Sequence, residues 1–184
     1  MLILWLLGCS VHTVDVAIDP GEGTPAAVAA IFEARMSAVG ARRYTVLTEP
    51  DVVVQLRPED RERFDAILET KVLSMGWEGE DPFLDGIAPK RLECVDSTGS
   101  LQWAISLNSA EADMLRIQTE LHGQDALVIG INGRELTSPN VYQPITGGTA
   151  MVPLDMNYRD CRVLSAQIMG GPLPAGVTVR PVAQ

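Results

Sequence analysis

The spacing of apolar residues along the chain predicts short strands that alternate with amphipathic helices. Every second residue is apolar in residues 14–18 and 52–56, which predicts strands with one face turned to a core. Thr24 and Pro25 predict a helix start, because threonine caps the first turn and proline fits the first helical position. Apolar residues then recur at helical spacing until Gly40, where we expect the helix to end.

The first part of the chain also contains two further predicted strands, at residues 43–47 and 72–77, and a predicted helix at 59–70. The resulting order is strand, helix, strand, strand, helix, strand, which is the order of a ferredoxin-like βαββαβ unit. We therefore predict a ferredoxin-like base in residues 11–78. Residues 79–90 are rich in Gly, Asp, Glu and Pro, which predicts a linker.

The remainder of the chain begins with strands predicted at residues 92–95 and 103–107. Asn108 and Glu111 have the spacing of a capping box, in which each side chain satisfies a backbone N–H of the first helical turn. A last helix is predicted at residues 156–169 and is followed by a short closing strand.

The central stretch, residues 127–152, contains three short apolar runs joined by turn residues. Asn132 and Gly133 between two of them are the strongest short-range hairpin signal, because both residues tolerate positive φ. Pro139 ends the second run, since proline cannot donate to a strand ladder. A phosphate-binding loop has a lysine directly after its last glycine, followed by Ser or Thr. Gly148 is not followed by lysine, so we interpret Gly147 and Gly148 as turn residues.

Two segments of this sequence resemble a known family. The runs LTSPNVYQPITGG and MGGPLPAGVTV are similar to the head of the first periplasmic domain of SecD and SecDF, accessory factors of the bacterial Sec protein-export machine. A looser similarity to the base of that domain involves Ile31, Arg35, Gly40 and the run VVVQLRP. The resemblance implies an α+β fold, in which an α/β head (residues 91–172) is inserted into the base and a final strand (173–184) returns to it.

The resemblance also implies a function. The head of the family is proposed to engage polypeptide that emerges from the Sec channel, so the candidate contact residues lie in the matching run: Pro139, Tyr142, Pro144, Ile145, Thr146, Gly147 and Gly148. The partner would be a polypeptide or an envelope protein. The family couples export to a proton gradient through membrane helices, and this sequence has no apolar run of the required length of about 18 residues. The alternative is a structural or assembly lipoprotein with no role in export.

Charge narrows the range of partners. The chain has a net charge of −10, and such an acidic surface is repelled by phosphate backbones, which argues against nucleic-acid binding. The same charge argues against docking on anionic lipid through a basic patch. Tyr142 is an aromatic residue in a predicted loop, and two interpretations stay open: it contacts a polypeptide partner, or it covers the protein's own core.

The N-terminus and the cysteines indicate a compartment. Leu6, Leu7, Gly8 and Cys9 resemble a bacterial lipobox, which predicts that residues 1–10 are a signal and anchor region with lipid attached to Cys9; the alternative is an ordinary apolar N-terminus. We therefore expect the protein on the periplasmic side of the cell envelope. Cys94 and Cys161 remain as an even pair, and the sequence leaves open whether they form a disulfide or are two separate buried thiols.

Residues for catalysis are sparse. The only histidines are His12 and His122, and the HExxH, CxxC and GxSxG motifs are absent from the sequence. The acidic residues of the predicted linker do not have the spacing of a calcium loop. We therefore expect no enzymatic activity, no cofactor and no metal site.

Overall fold

The structure is a computed structural model that describes residues 13–49, 51–97 and 99–181. Cys9 and His12 lie outside the described residues. Within them the chain forms these elements: β1 (Val14–Asp19), α1 (Pro25–Val39), β2 (Tyr44–Leu47), β3 (Val52–Leu56), α2 (Arg61–Ala66), β4 (Leu73–Trp77), β5 (Leu84–Ile87), β6 (Arg91–Ser97), β7 (Ser100–Ser106), α3 (Ser109–Leu121), β8 (Leu127–Ile131), β9 (Arg134–Thr137), β10 (Thr149–Pro153), α4 (Tyr158–Ile168) and β11 (Thr178–Pro181).

Helix ends agree with the capping residues of the sequence. The Thr24 hydroxyl accepts the N–H of Ala27 at the start of α1, and Gly40 ends that helix with φ of 77°. At α3, both bonds of the capping box between Asn108 and Glu111 are present. The helix predicted at residues 59–70 is shorter, because α2 is preceded by one turn of 3-10 helix and ends at Ala66.

One antiparallel sheet, the base sheet, has the strand order β11-β1-β3-β2. Val16 lies between Val54 and Pro181 in this sheet, so β11 returns to pair with β1, as the resemblance implies. The prediction that residues 72–77 complete the base is wrong: β4 pairs with β5 and β8 in another sheet. The βαββαβ order is completed by α4 and β11, because α4 packs on α1 and leads into β11.

The other strands form two sheets, β10-β7-β6 and β5-β4-β8-β9, which enclose a second core. This head core contains Trp103, Leu115 and Ile129, all fully buried, whereas the base core under the base sheet contains Phe32 and Phe64. The stretch predicted to be a linker contains a strand, because β5 pairs with β4 and buries Ile87 in the head core. The structure is therefore α+β, with one core for each part.

A buried arginine stands between the two cores. Arg35 of α1 is fully buried, and burial lowers its pKa to about 10, so that its guanidinium remains charged at neutral pH. Its five hydrogen bonds go to the Ile67 carbonyl (2.7 Å), the Glu69 carbonyl (3.4 Å), the Thr70 hydroxyl (3.0 Å), the Met169 carbonyl (3.4 Å) and the Gly171 carbonyl (2.9 Å). These acceptors belong to the two segments that lead from α2 to β4 and from α4 back to β11. Arg35 thus joins both connections between the base sheet and the rest of the chain.

We expect the substitution Arg35→Met to lower the free energy of unfolding by about 3 kcal/mol, because it leaves several buried carbonyls without donors. Urea unfolding followed by tryptophan fluorescence measures this change. Arg116→Met is the matched control, since Arg116 makes an exposed ion pair with Glu120, and its loss should cost less than about 1 kcal/mol. Equal effects of the two substitutions would contradict the role given to Arg35.

Helix α4 is fastened to the β10-β7-β6 sheet by a group of buried contacts. Cys161 of α4 forms a disulfide with Cys94 of β6, across a sequence separation of 67 residues. One turn later, the Ser165 hydroxyl accepts the indole N–H of Trp103 at 2.7 Å and donates to the Cys161 carbonyl at 2.8 Å. The alternative of two separate thiols does not describe this structure.

We expect the double substitution Cys94→Ala with Cys161→Ala to lower the free energy of unfolding by about 4 kcal/mol, the loop-closure value for a disulfide of this span. Urea unfolding of the oxidised protein and of the double variant gives the difference. A reductant should destabilise the native protein and leave the variant unchanged. Equal stability with and without reductant in the native protein would refute the expectation.

Candidate functional site

The central hairpin is formed as the sequence predicts. Asn132 and Gly133 have φ of 51° and 72°, and they connect β8 and β9 as antiparallel neighbours. Asn132 also makes two hydrogen bonds with Val72. Its N–H donates to the Val72 carbonyl at 2.9 Å, and its side-chain oxygen accepts the Val72 N–H at 2.8 Å. The hairpin is therefore attached to the start of β4.

Residues 139–148, which we term the site loop, follow β9 and are held by specific hydrogen bonds. The Pro139 carbonyl accepts the N–H of Leu127 at 2.9 Å, and Val141, which is buried, donates its N–H to the Asp125 carbonyl at 3.0 Å. Further along, the Thr119 hydroxyl of α3 accepts the N–H of Ile145 at 2.9 Å. Both ends of the site loop are thus positioned by neighbouring elements.

Strand β10 follows the site loop and is an edge strand. It pairs with β7 on one side, and within the described residues no strand pairs with its other side. Its exposure alternates, so that Ala150 and Val152 lie in the head core while Thr149, Met151 and Pro153 are exposed. This alternation gives β10 one face in the core and one in solvent.

A cleft of about 230 Å³ lies between the site loop and β10. It is lined by uncharged residues, of which Pro139, Tyr142, Ile145 and Met151 provide apolar surface. Tyr142 is 77% exposed, which favours the interpretation as a contact residue over that of a cover for the core. Met151 is 50% exposed.

The other predicted contact residues lie outside this cleft. Pro144, Thr146 and Gly147 are exposed, and Gly148 is buried. Gly147 and Gly148 line a different hollow that also contains Lys90 and Arg91. The site loop therefore presents two surfaces, and of these the one around Tyr142 is uncharged.

Sequence reasoning missed Met151 as a candidate contact residue. The alternation of residues 149–153 contains the signal that Met151 faces away from the core. The sequence does not show that β10 lies at the edge of its sheet, because that depends on pairing with β7, more than 40 residues away.

The ionisable groups of the described residues are not gathered into a reactive cluster around the cleft. No group of three or more His, Cys, Asp or Glu is placed to hold a metal ion in this part of the chain. His122 stacks on Trp77 with ring centroids 4.9 Å apart, and its Nδ1 lies 3.3 Å from an oxygen of Asp125. What the cleft offers is an uncharged and partly apolar surface beside a strand edge.

The fold is similar to that of two solved structures of SecDF. The first, described as a membrane component that enhances protein export, aligns with a TM-score of 0.64 and 17% identity over 94% of this chain and 100% of that chain. The second, SecDF in its super-membrane-facing form, aligns with a TM-score of 0.65 and 16% identity over 92% of this chain and 30% of that chain. The predicted likeness to a SecD-type periplasmic domain is thereby confirmed for the fold.

Other comparisons add no relatives. No protein-family model matches the chain, and no curated protein matches it. Among the helices in the described ranges, none is both long enough and apolar enough to cross a membrane.

We expect Gly148→Ala to lower the free energy of unfolding by about 1 to 2 kcal/mol, because a side chain there is strained. Gly148 has φ of 64°, and an added Cβ would lie 2.8 Å from the Cβ of Ala112. The adjacent Gly147→Ala is the matched control, since that glycine lacks a positive φ and its added Cβ meets no atom within 4 Å. Thermal unfolding of both variants measures this difference. An equal loss of stability in the two variants would contradict the backbone role of Gly148.

Proposed function

We propose that this chain is a non-catalytic binding domain of the cell envelope that contacts polypeptide through the site loop and β10, in connection with protein export. The observation that carries the proposal is the uncharged cleft between Tyr142 and Met151, which lies beside an open strand edge. An edge strand next to an uncharged cleft can bind polypeptide with tolerance for sequence, because backbone groups make the hydrogen bonds.

The charge distribution supports this assignment. The chain carries 24 acidic and 14 basic residues, yet no charged residue lines the cleft. A binding surface for varied polypeptides benefits from this arrangement, because a buried charge would penalise most apolar segments. The acidic remainder of the surface keeps copies of the protein apart.

The likeness to SecDF supports the link with export. SecDF is described as a component that enhances protein export, and its fold is shared by nearly all of this chain. The chain spans about a third of the larger SecDF chain, so what that whole protein does is a proposal when applied here. We place the domain on the periplasmic side of the envelope, with lipid on Cys9 as its anchor.

A structural role with one fixed partner is the second candidate. The outer face of α3 favours it, because Met114, Ile117 and Leu121 are exposed there at helical spacing. A fixed partner would be recovered in constant ratio by native purification, whereas a polypeptide-binding domain would return many different chains in small amounts.

Photocrosslinking at Tyr142 in intact cells tests the proposed function. With p-benzoylphenylalanine at this position, we expect crosslinks to exported polypeptides, identified by mass spectrometry, because Tyr142 lines the cleft and is 77% exposed. Tyr158 is the matched control, since it is an aromatic residue, 50% exposed, that does not line the cleft. Absence of polypeptide adducts at Tyr142, or equal capture at Tyr158, would overturn the proposal.

A further inference from the structure

The outer edge of β10 presents backbone groups in a defined order. In the pairing with β7, the N–H of Leu107 donates to the Gly148 carbonyl and the N–H of Leu154 donates to the Leu101 carbonyl, both at 2.9 Å. Antiparallel ladders bond at alternate residues, so even-numbered residues of β10 direct their backbone groups to β7. The N–H and C=O groups of Thr149 and Met151 therefore point to the outer edge.

Pro153 limits the length of this edge. It is the third residue of β10 whose backbone points outward, and it has a carbonyl but no N–H. The edge thus offers two donors, on Thr149 and Met151, followed by a position that cannot donate. An added strand would pair over a few residues only, which suits transient binding and opposes extended aggregation.

The cleft beside this edge selects the side chains of an added strand. Its volume of about 230 Å³ is several times the ~30 Å³ that a water molecule occupies in the liquid, so it has room for a side chain. No charged residue lines it, so a charged side chain that entered it would lose water without gaining an ion-pair partner. An apolar side chain would instead contact Tyr142, Ile145 and Met151.

We propose that the edge of β10 binds an extended, uncharged and apolar segment of another polypeptide by strand addition. Alternate backbone groups of the segment bond to Thr149 and Met151, and one of its apolar side chains enters the cleft next to Tyr142. This inference rests on the proposed function, and it specifies both the mode of binding and the chemistry of the bound segment.

A second copy of this chain is a poorer occupant. Each copy carries a net charge of −10, so two copies repel each other. Each copy also brings Pro153 to the shared edge, which removes a donor from both strands. A segment of a different polypeptide avoids both costs.

Synthetic peptides with blocked backbone amides test the strand addition on the full chain. The probe is the fluorescently labelled peptide Ac-Ser-Val-Ser-Leu-Ser-Val-Ser-NH2, which is uncharged and has one apolar face in an extended conformation. One derivative carries N-methyl groups on the Val and Leu residues, and a second carries them on the Ser residues. Because a strand bonds through one edge, we expect one derivative to bind at least tenfold more weakly than the parent and the other to bind within about threefold of it.

The affinities come from fluorescence anisotropy, and amide exchange measured by NMR provides a second readout. We expect the parent peptide to slow exchange of the Thr149 and Met151 amides. Similar binding by both derivatives, loss of binding with both, or unchanged exchange at these amides would each overturn strand addition. A replacement of the central Leu of the peptide by Asp should weaken binding at least tenfold, and an unchanged affinity would overturn the apolar selectivity.

Substitutions in the protein locate the site. We expect Met151→Lys to weaken peptide binding at least tenfold, because it places a charge at the edge of the cleft. Leu121→Lys is the matched control, since Leu121 is 73% exposed on α3, and it should leave the affinity unchanged. Equal loss in both variants would overturn the assignment to β10.

Sedimentation of the protein without peptide measures its oligomeric state and so tests whether a second copy occupies the edge of β10. A dimer that Met151→Lys abolishes, together with no peptide binding, would assign the edge to a second copy and overturn the proposal. The crosslinking experiment at Tyr142 decides the proposed function independently. If peptide binding fails while cellular crosslinks persist, the mode of binding is wrong and the binding function stands.

Discussion

The buried guanidinium of Arg35 is the constraint on which the arrangement of the two cores depends. The chain leaves the base sheet through residues 67–71 and returns to it through residues 169–173, and Arg35 bonds to carbonyl or hydroxyl oxygens in both segments. The two segments also bond to each other, since the Leu173 N–H donates to the Thr70 hydroxyl, and the Lys71 N–H donates to the Gln167 carbonyl of α4. A buried guanidinium is stable here because its nitrogen atoms all donate hydrogen bonds to oxygens.

Helix α4 connects the base core to the head core. It packs on α1, where the Arg162 guanidinium donates to the Ala38 carbonyl at the end of that helix, and it packs on β6 through the disulfide from Cys161. Its Ala166 belongs to the base core, whereas Cys161 and Ile168 belong to the head core. The β10-β7-β6 sheet is therefore held at β6, and β10 lies at the opposite edge of that sheet. The position of the candidate site follows from this anchoring.

The candidate site combines rigid support with an open edge. Thr119 holds Ile145, and the bonds of residues 125–127 to the start of the site loop hold Val141, so the walls of the cleft are formed before any partner arrives. A preformed cleft reduces the loss of conformational entropy on binding, because fewer groups have to be ordered. The likeness to SecDF concerns the fold that presents this cleft, and a shared fold does not by itself assign a role.

Much of the local structure could be predicted from the sequence alone, because it depends on nearby residues. Thr24, Asn108 and the pair Asn132 and Gly133 determine helix starts and a hairpin through bonds or backbone angles within a few positions. The resemblance to the SecD head located the site loop by its sequence. Only the tertiary structure decided that β4 belongs to a sheet other than the base sheet and that the predicted linker contains β5. It also decided that Tyr142 is exposed beside the open edge of β10. An alternating pattern determines which face of a strand is buried, but the partner of a strand depends on residues far away in the chain.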